Sequence, residues 1–218
     1  MILSGLQSLY NNVMKKPECN WQILLIGGAS GVGKSSLSYP LARHYNVNLT
    51  EIDDFQVILE KLTTPEQQPL LHFWRTNWEE FSSWSDEERL EYFIRVSRDV
   101  FQPALEAVIA NHLETKMPII LEGDFLLPEL ATYATFAGES NDGRVKALFI
   151  YEDDEAQIAA NYLAREGEEQ SLRAHSSWLT NQWLRSECER LGVPTLSARP
   201  WNTVLQRATE IYTQNGRS

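Results

Sequence analysis

Eight consecutive residues near the start of the chain, Gly28-Ala29-Ser30-Gly31-Val32-Gly33-Lys34-Ser35, constrain its fold more than any other feature. They fit G-x-x-x-x-G-K-[ST] at every fixed position and follow an apolar run, Ile23-Leu24-Leu25-Ile26. In that setting a strand feeds a glycine-rich turn whose backbone N–H groups point inward, and a helix then starts with its positive dipole end at the same spot. Polyphosphate oxygens fit there. Gly28 and Gly33 permit backbone angles and approaches that a Cβ forbids, Lys34 reaches β- and γ-phosphate oxygens, and the Ser35 hydroxyl suits Mg²⁺. The segment Ser36-Leu37-Ser38-Tyr39-Pro40-Leu41-Ala42-Arg43 reads as the helix, with Pro40 expected to kink or distort it near its start.

With 218 residues, 43% of them hydrophobic, the chain suits one large domain or one domain with an inserted lobe. Nineteen Lys and Arg against 30 Asp and Glu give a formal charge of −11, a field that repels polyanions and argues against nucleic acid as a partner. Phosphate recognition must therefore be a local focus. The two cysteines, Cys19 and Cys188, are too far apart in sequence to read as a metal or disulfide framework, which suggests a reducing compartment. The first residues lack the organisation of a signal peptide and no run approaches a membrane span, so the cytoplasm is the expected location.

Ile2, Leu3, Leu6, Leu9, Tyr10 and Val13 recur at helical spacing and predict a short amphipathic helix ahead of a first strand near Trp21 to Gly27. Further strands are expected at Val47 to Asp53, Pro118 to Glu122, Val145 to Tyr151 and Val193 to Ser197. Helical patterns follow at Asp154 to Arg165, Leu172 to Leu191 and Asn202 to Tyr212. This alternation predicts a mostly parallel sheet with helices on both faces and ligands at the carboxyl ends of its strands. Between Phe55 and Met117 no strand is evident and the stretch is too long for one crossover helix, so residues 55–117 are expected to form a helical lobe. Within it Ser85-Asp86-Glu87-Glu88 resembles a capping box, and Pro103 should kink or divide the long helix that follows.

Several residues could carry chemistry. Asp53 and Asp54 close the second strand; Asp53 is placed to orient an acceptor hydroxyl and take its proton, and Asp54 to cap the helix from Phe55 to Lys61. Leu121-Glu122-Gly123-Asp124 is an apolar strand ending in acids, with Glu122 the candidate for Mg²⁺ or its water and Asp124 facing substrate. Arg165 and Arg173 flank a polar stretch, and residues 165–175 read either as a lid that brings guanidinium groups to transferring phosphoryl oxygens or as a solvated loop. His175 shows no evident partner and reads as structural. Phe73, Trp74, Trp78, Phe81, Trp84, Tyr92 and Phe93, with Arg75, Arg89, Arg95 and Arg98, either line an acceptor pocket or form the lobe's own core, the core being the reading for most rings. Arg199 and Trp201 could flank adenine by stacking.

Together these residues resemble the P-loop small-molecule kinases, in particular the proteins related to 2-phosphoglycerate kinase and chloramphenicol phosphotransferase. The run Ile26 to Ser35 is close to the loop of the former group, and Leu121-Glu122-Gly123-Asp124-Phe125-Leu126-Leu127-Pro128 is similar to its third-strand segment. Ile52-Asp53-Asp54-Phe55 is similar to the motif by which uridine-kinase-like enzymes present an acid to the acceptor. The resemblance implies one α/β P-loop NTPase domain over 1–218, nucleoside-monophosphate-kinase-like, three-layered, with a five-stranded parallel sheet and the helical substrate lobe. It implies an ATP-dependent kinase for a small-molecule hydroxyl acceptor. Nucleotide would lie on Gly28, Ala29, Ser30, Gly31, Val32, Gly33, Lys34, Ser35, Ser36 and Arg199; Mg²⁺ on Ser35 and Glu122; Lys34, Asp53 and Arg165 would act in transfer. A toxin-like kinase acting on a nucleotide sugar and a nucleotide-dependent ATPase switch share the loop and stay open, as do the acceptor, ATP against GTP, and the oligomeric state.

Overall fold

The computed structural model describes residues 19–214, so the expected helix from Ile2 to Val13 lies outside the described residues. Five parallel strands form the central sheet: β1 (Ile23–Gly27), β2 (Asn48–Glu51), β3 (Ile119–Gly123), β6 (Val145–Tyr151) and β7 (Thr195–Ser197), in the order β2-β3-β1-β6-β7. Along β1 the side chains alternate between two cores. Leu24 and Ile26 pack with Leu37, Leu41 and Ile150 on one face, while Ile23 and Leu25 pack with Leu105, Ile109 and Phe149 on the other. A strand covered on both faces reads as an unbroken apolar run, which is why β1 and β3 were legible.

Helix α1 (Lys34–Tyr45) starts from the glycine turn and runs unbroken through Pro40. Helix α2 (Ile52–Leu62) follows β2 directly, so β2 is shorter than expected: Asp53 and Asp54 lie in the first helical turn, not at a strand end. Asp54 is therefore not the cap; Glu51 holds that position, without a side-chain hydrogen bond. Acids in a first turn still oppose the positive end of the helix dipole.

The helical insertion continues with α3 (Pro69–Thr76), α4 (Trp78–Ser83) and α5 (Asp86–Val96). Ser85 caps α5 through the expected box: its hydroxyl accepts from Glu88 N–H at 3.3 Å, and its own N–H donates to the Glu88 carboxylate at 2.7 Å. A π-helical turn, Ser97–Phe101, then joins α5 to α6 (Gln102–Thr115), with Pro103 in the first turn of α6, directly after the wider turn. Pro103 thus divides the helix as its ring demands. The lobe ends sooner than residue 117, because Leu105, Ile109 and Leu113 of α6 pack against the sheet.

After β3 come a 3₁₀ turn (Pro128–Thr132) and a small antiparallel hairpin, β4 (Thr135–Phe136) with β5 (Glu139–Ser140), neither visible as a pattern in sequence. Helices α7 (Glu155–Glu166, capped by the Asp154 carboxylate), α8 (Ser171–Leu191) and α9 (Val204–Gln214) complete the layers. Cys188 is buried in the core and burial pushes its thiol up to about 12, which leaves it inert. Among the described residues no helix is long and apolar enough to cross a membrane.

Candidate active site

Strand register builds the site. Gly27 of β1 pairs with Gly123 of β3, Ile26 with Glu122, and Glu122 with Glu51 of β2, so the phosphate loop, the β3 acids and the start of α2 emerge side by side. Gly123 permits this closeness: a Cβ there would lie 2.6 Å from Cβ of Ile52. At Gly33, φ is +96° and an added Cβ would lie 2.1 Å from the Trp201 ring, so only glycine lets the loop turn onto that indole.

Lys34 is buried, and its ammonium donates to the Ala29 carbonyl at 3.0 Å and to Asp124. Burial alone would lower its pKa, but the charges of Asp124 and Glu122 outweigh that and hold it raised, so it stays protonated. Ser35 donates to Glu122 Oε2 at 3.1 Å and Ser38 donates to the same oxygen at 3.4 Å. Glu122 is itself buried, which raises its carboxyl above the ordinary range, with Lys34 and Ser35 pulling the other way. Among the described residues no group of three or more His, Cys, Asp or Glu side chains is arranged to hold a metal. The Ser35–Glu122 pair supplies the one-hydroxyl, one-carboxylate donor set that suits Mg²⁺ completed by water and phosphate oxygens.

Asp53 and Asp124 both line a cavity of about 430 Å³, as does Ser30 of the phosphate loop. Asp53 is exposed, and partial loss of hydration together with the like charge of Asp124 sets its carboxyl above the usual aspartate range, Lys34 and Arg165 offsetting part. Arg165 lies at the end of α7 and Arg173 at the start of α8, so the polar stretch between two helices is a connection of only a few residues. Both guanidinium groups flank the Tyr162 ring, at 4.8 Å and 5.0 Å, and share Glu166, at 2.9 Å and 2.8 Å. Both also line the cavity.

Arg199 lies on the loop after β7. It pairs with buried Glu152 at 3.2 Å and stands over the ring of Trp201, at 5.5 Å, the indole that abuts Gly33 of the phosphate loop. The lobe's rings serve two ends at once: Phe73 stacks on Trp84 at 4.9 Å, while Trp74, Trp78, Phe81, Tyr92 and Phe93 line the cavity. Arg75 and Arg89 line it too, and Arg98 instead pairs with Glu129 at 3.2 Å.

His175 is a correction, since it does have partners. Its Nδ1 contacts Glu155 at 2.6 Å and its Nε2 contacts Asp86 at 3.0 Å, which ties α7 to the start of α5 across α8. Hydrogen bonds to these two acids raise its pKa. Sequence reading also missed Asn161, whose amide donates to the Gly31 carbonyl at 2.7 Å, and Tyr162, whose hydroxyl meets Ser177 at 2.9 Å. The signal was available for these two, because residues three and four before Arg165 share its helix face.

No family model matches this chain. A 2-phosphoglycerate kinase of Methanococcus vannielii is 29% identical over 130 residues, covering 56% of this chain and 40% of that protein. A mevalonate-3-phosphate 5-kinase of Thermoplasma acidophilum is 24% identical over 111 residues, covering 51% of this chain and 54% of that protein. The chain thus spans between 40% and 54% of the length of these curated relatives. Among solved structures, a sugar kinase from a Janibacter species superposes with a TM-score of 0.51 at 18% identity, covering 89% of this chain and 95% of that one. The fold is that of an α/β P-loop NTPase, and the resemblance to P-loop small-molecule kinases extends from sequence to fold.

Proposed function

We propose that the chain is a kinase that transfers the γ-phosphoryl group of ATP to a hydroxyl of a small molecule. One observation carries this reading: Asp53 and Asp124 line a cavity with room for an acceptor, and Asp124 pairs with Lys34 of the phosphate loop, next to the Ser35–Glu122 pair. A bare nucleotide switch has no use for that cavity. Its volume falls among those of small-molecule sites.

Each residue's part follows from its place. The loop amides and Lys34 hold the phosphate tail, and the ammonium exchanges Asp124 for the β- and γ-oxygens when nucleotide enters. Ser35 and Glu122 are the side chains that would hold magnesium, which when bound neutralises charge on those oxygens. Asp53 accepts the hydroxyl proton as the acceptor oxygen bonds to the γ-phosphorus and the bridging oxygen leaves with ADP. Its raised pKa makes it a stronger proton acceptor than an ordinary aspartate. Arg165 and Arg173, already in the cavity wall, answer charge on the transferring group and exclude water.

The test is acceptor-stimulated ADP release from MgATP by the purified chain, with 2-phosphoglycerate, nucleosides, nucleotide sugars and aryl alcohols as acceptors. A kinase releases ADP in proportion to a phosphorylated product. Slow hydrolysis that no acceptor accelerates would make the chain an ATPase and overturn the reading.

A further inference from the structure

Resting on the kinase reading of this cleft, we propose that the acceptor is a ring-bearing, sparsely hydroxylated alcohol, aromatic or alicyclic, seated against Trp74, Trp78 and Phe93. A short acyclic phosphoacid or a polyol is a poorer fit. An apolar cavity of about 150 Å³ holds a benzene ring. The space here, about 430 Å³, takes a ring and leaves its acid end for the reacting hydroxyl and the phosphoryl group.

The aromatic wall begins at the reacting end. Phe125 follows Asp124 in the chain and lines the cavity; its ring stacks on Phe101 at 4.0 Å with 5° between planes, and on Phe93 of α5 at 5.9 Å with 21°. Continuous ring surface therefore leads from the end of β3 into the lobe. The wall also includes Trp78, a cavity-lining indole left 45% exposed on α4, a helix that buries none of its six residues. An indole held open beside a concave apolar wall is surface that a ligand ring would cover, through stacking or edge contacts.

Most polar groups at that end are already committed, and among the described cavity-lining residues Arg89 Nε and Ser176 Oγ are buried without a hydrogen-bond partner. Arg75 pairs with Glu60 at 3.1 Å and stands over Trp74 at 4.5 Å, while Arg89 donates to the Trp84 carbonyl and to Asp86. Along α8, Ser177 contacts Tyr162 at 2.9 Å and Thr180 donates to the Ser176 carbonyl at 2.9 Å. An anionic tail or a row of hydroxyls would compete with these partners, whereas a ring face displaces only water and Ser176 Oγ and Arg89 Nε suit the one or two polar groups of a sparsely hydroxylated ring.

The probe is 4-nitrobenzyl alcohol, whose nitroarene quenches indole emission on contact, followed by tryptophan fluorescence with and without MgATP and by ADP release. Saturable quenching is expected, and Trp78→Ala should weaken it about fivefold, as loss of one aromatic pair does. Trp78→Phe should return to within about twofold of the parent, because a ring remains to stack. The KM for MgATP should move little in either variant. The proposal is overturned by an absence of saturable quenching, by a Trp78→Ala Kd equal to the parent's, or by 2-phosphoglycerate giving a kcat/KM roughly tenfold above every ring alcohol. Ring-alcohol binding that depends on Trp78 with no ADP from any acceptor would retire the kinase reading and leave the ring site standing. ADP formed with acyclic acids alone would keep the kinase and remove the ring site.

Discussion

The carboxyl end of the central strands, which carries the phosphate loop, and the helical lobe meet in one cavity but are held in place differently. Strands β1 and β3 bury all five of their residues, so neighbouring strands and two apolar cores fix where the loop and Glu122 lie. In the lobe α2 buries only Ile52, α3 only Leu71, and α4 nothing. The first region presents backbone donors that cannot drift, which suits a ligand tail common to every turnover. The second presents side chains on thinly anchored helices, which suits a wall that closes on one particular guest.

The largest expected effect separates the regions by chemistry. Asp53→Asn should lower kcat by roughly 10²–10⁴, the range of a lost general base, while MgATP affinity stays near the parent's. In the parent, the acid limb of kcat/KM should lie above the ordinary aspartate value of 3.8, because desolvation and Asp124 raise the Asp53 pKa. A limb at or below that value would remove Asp53 as the base.

Stability should divide along the same line. Leu25→Ala in β1, fully buried, should cost about 2–5 kcal/mol in urea unfolding, through lost contacts and a cavity. Trp78→Ala should cost under about 0.5 kcal/mol, as surface substitutions do. Equal losses would mean the lobe is as firmly packed as the sheet.

The smallest effect concerns the seam between them. His175 joins Asp86 on α5 to Glu155 on α7, and its pKa is raised in the fold above the ordinary 6.5. A raised histidine contributes stability that is complete below pH 6.5 and is lost as pH climbs through the raised value. The Tm difference between the parent and His175→Ala should therefore shrink above that point. The contact is largely exposed and screened, so the difference should be modest throughout. A difference that grew with pH would contradict the pairing.

How much could be read from sequence follows the same division. The glycine loop, the apolar strands and the Ser85 box announce themselves because backbone geometry demands particular residues at fixed spacing. Pro103 marked its helix boundary for the same reason. The start of α2 was misplaced because Ile52 reads equally as the end of a strand or the start of a helix, and packing on Gly123 decides it. The partners of His175 stayed hidden because Asp86 and Glu155 lie 89 and 20 residues away and only tertiary folding joins them. Nor could the chain's periodicity say that the lobe's rings enclose a space, since a filled core and a lined cavity have the same composition.

Everything attributed to the cleft depends on the turn before α1 gripping a nucleotide's phosphates. Titration calorimetry of MgATP into the purified chain and into Lys34→Ala measures that grip directly. Saturable binding by the parent, weakened at least about tenfold when one charge-assisted contact is removed, is the predicted result. No heat of binding from folded parent protein, or equal affinity in the two, would contradict it.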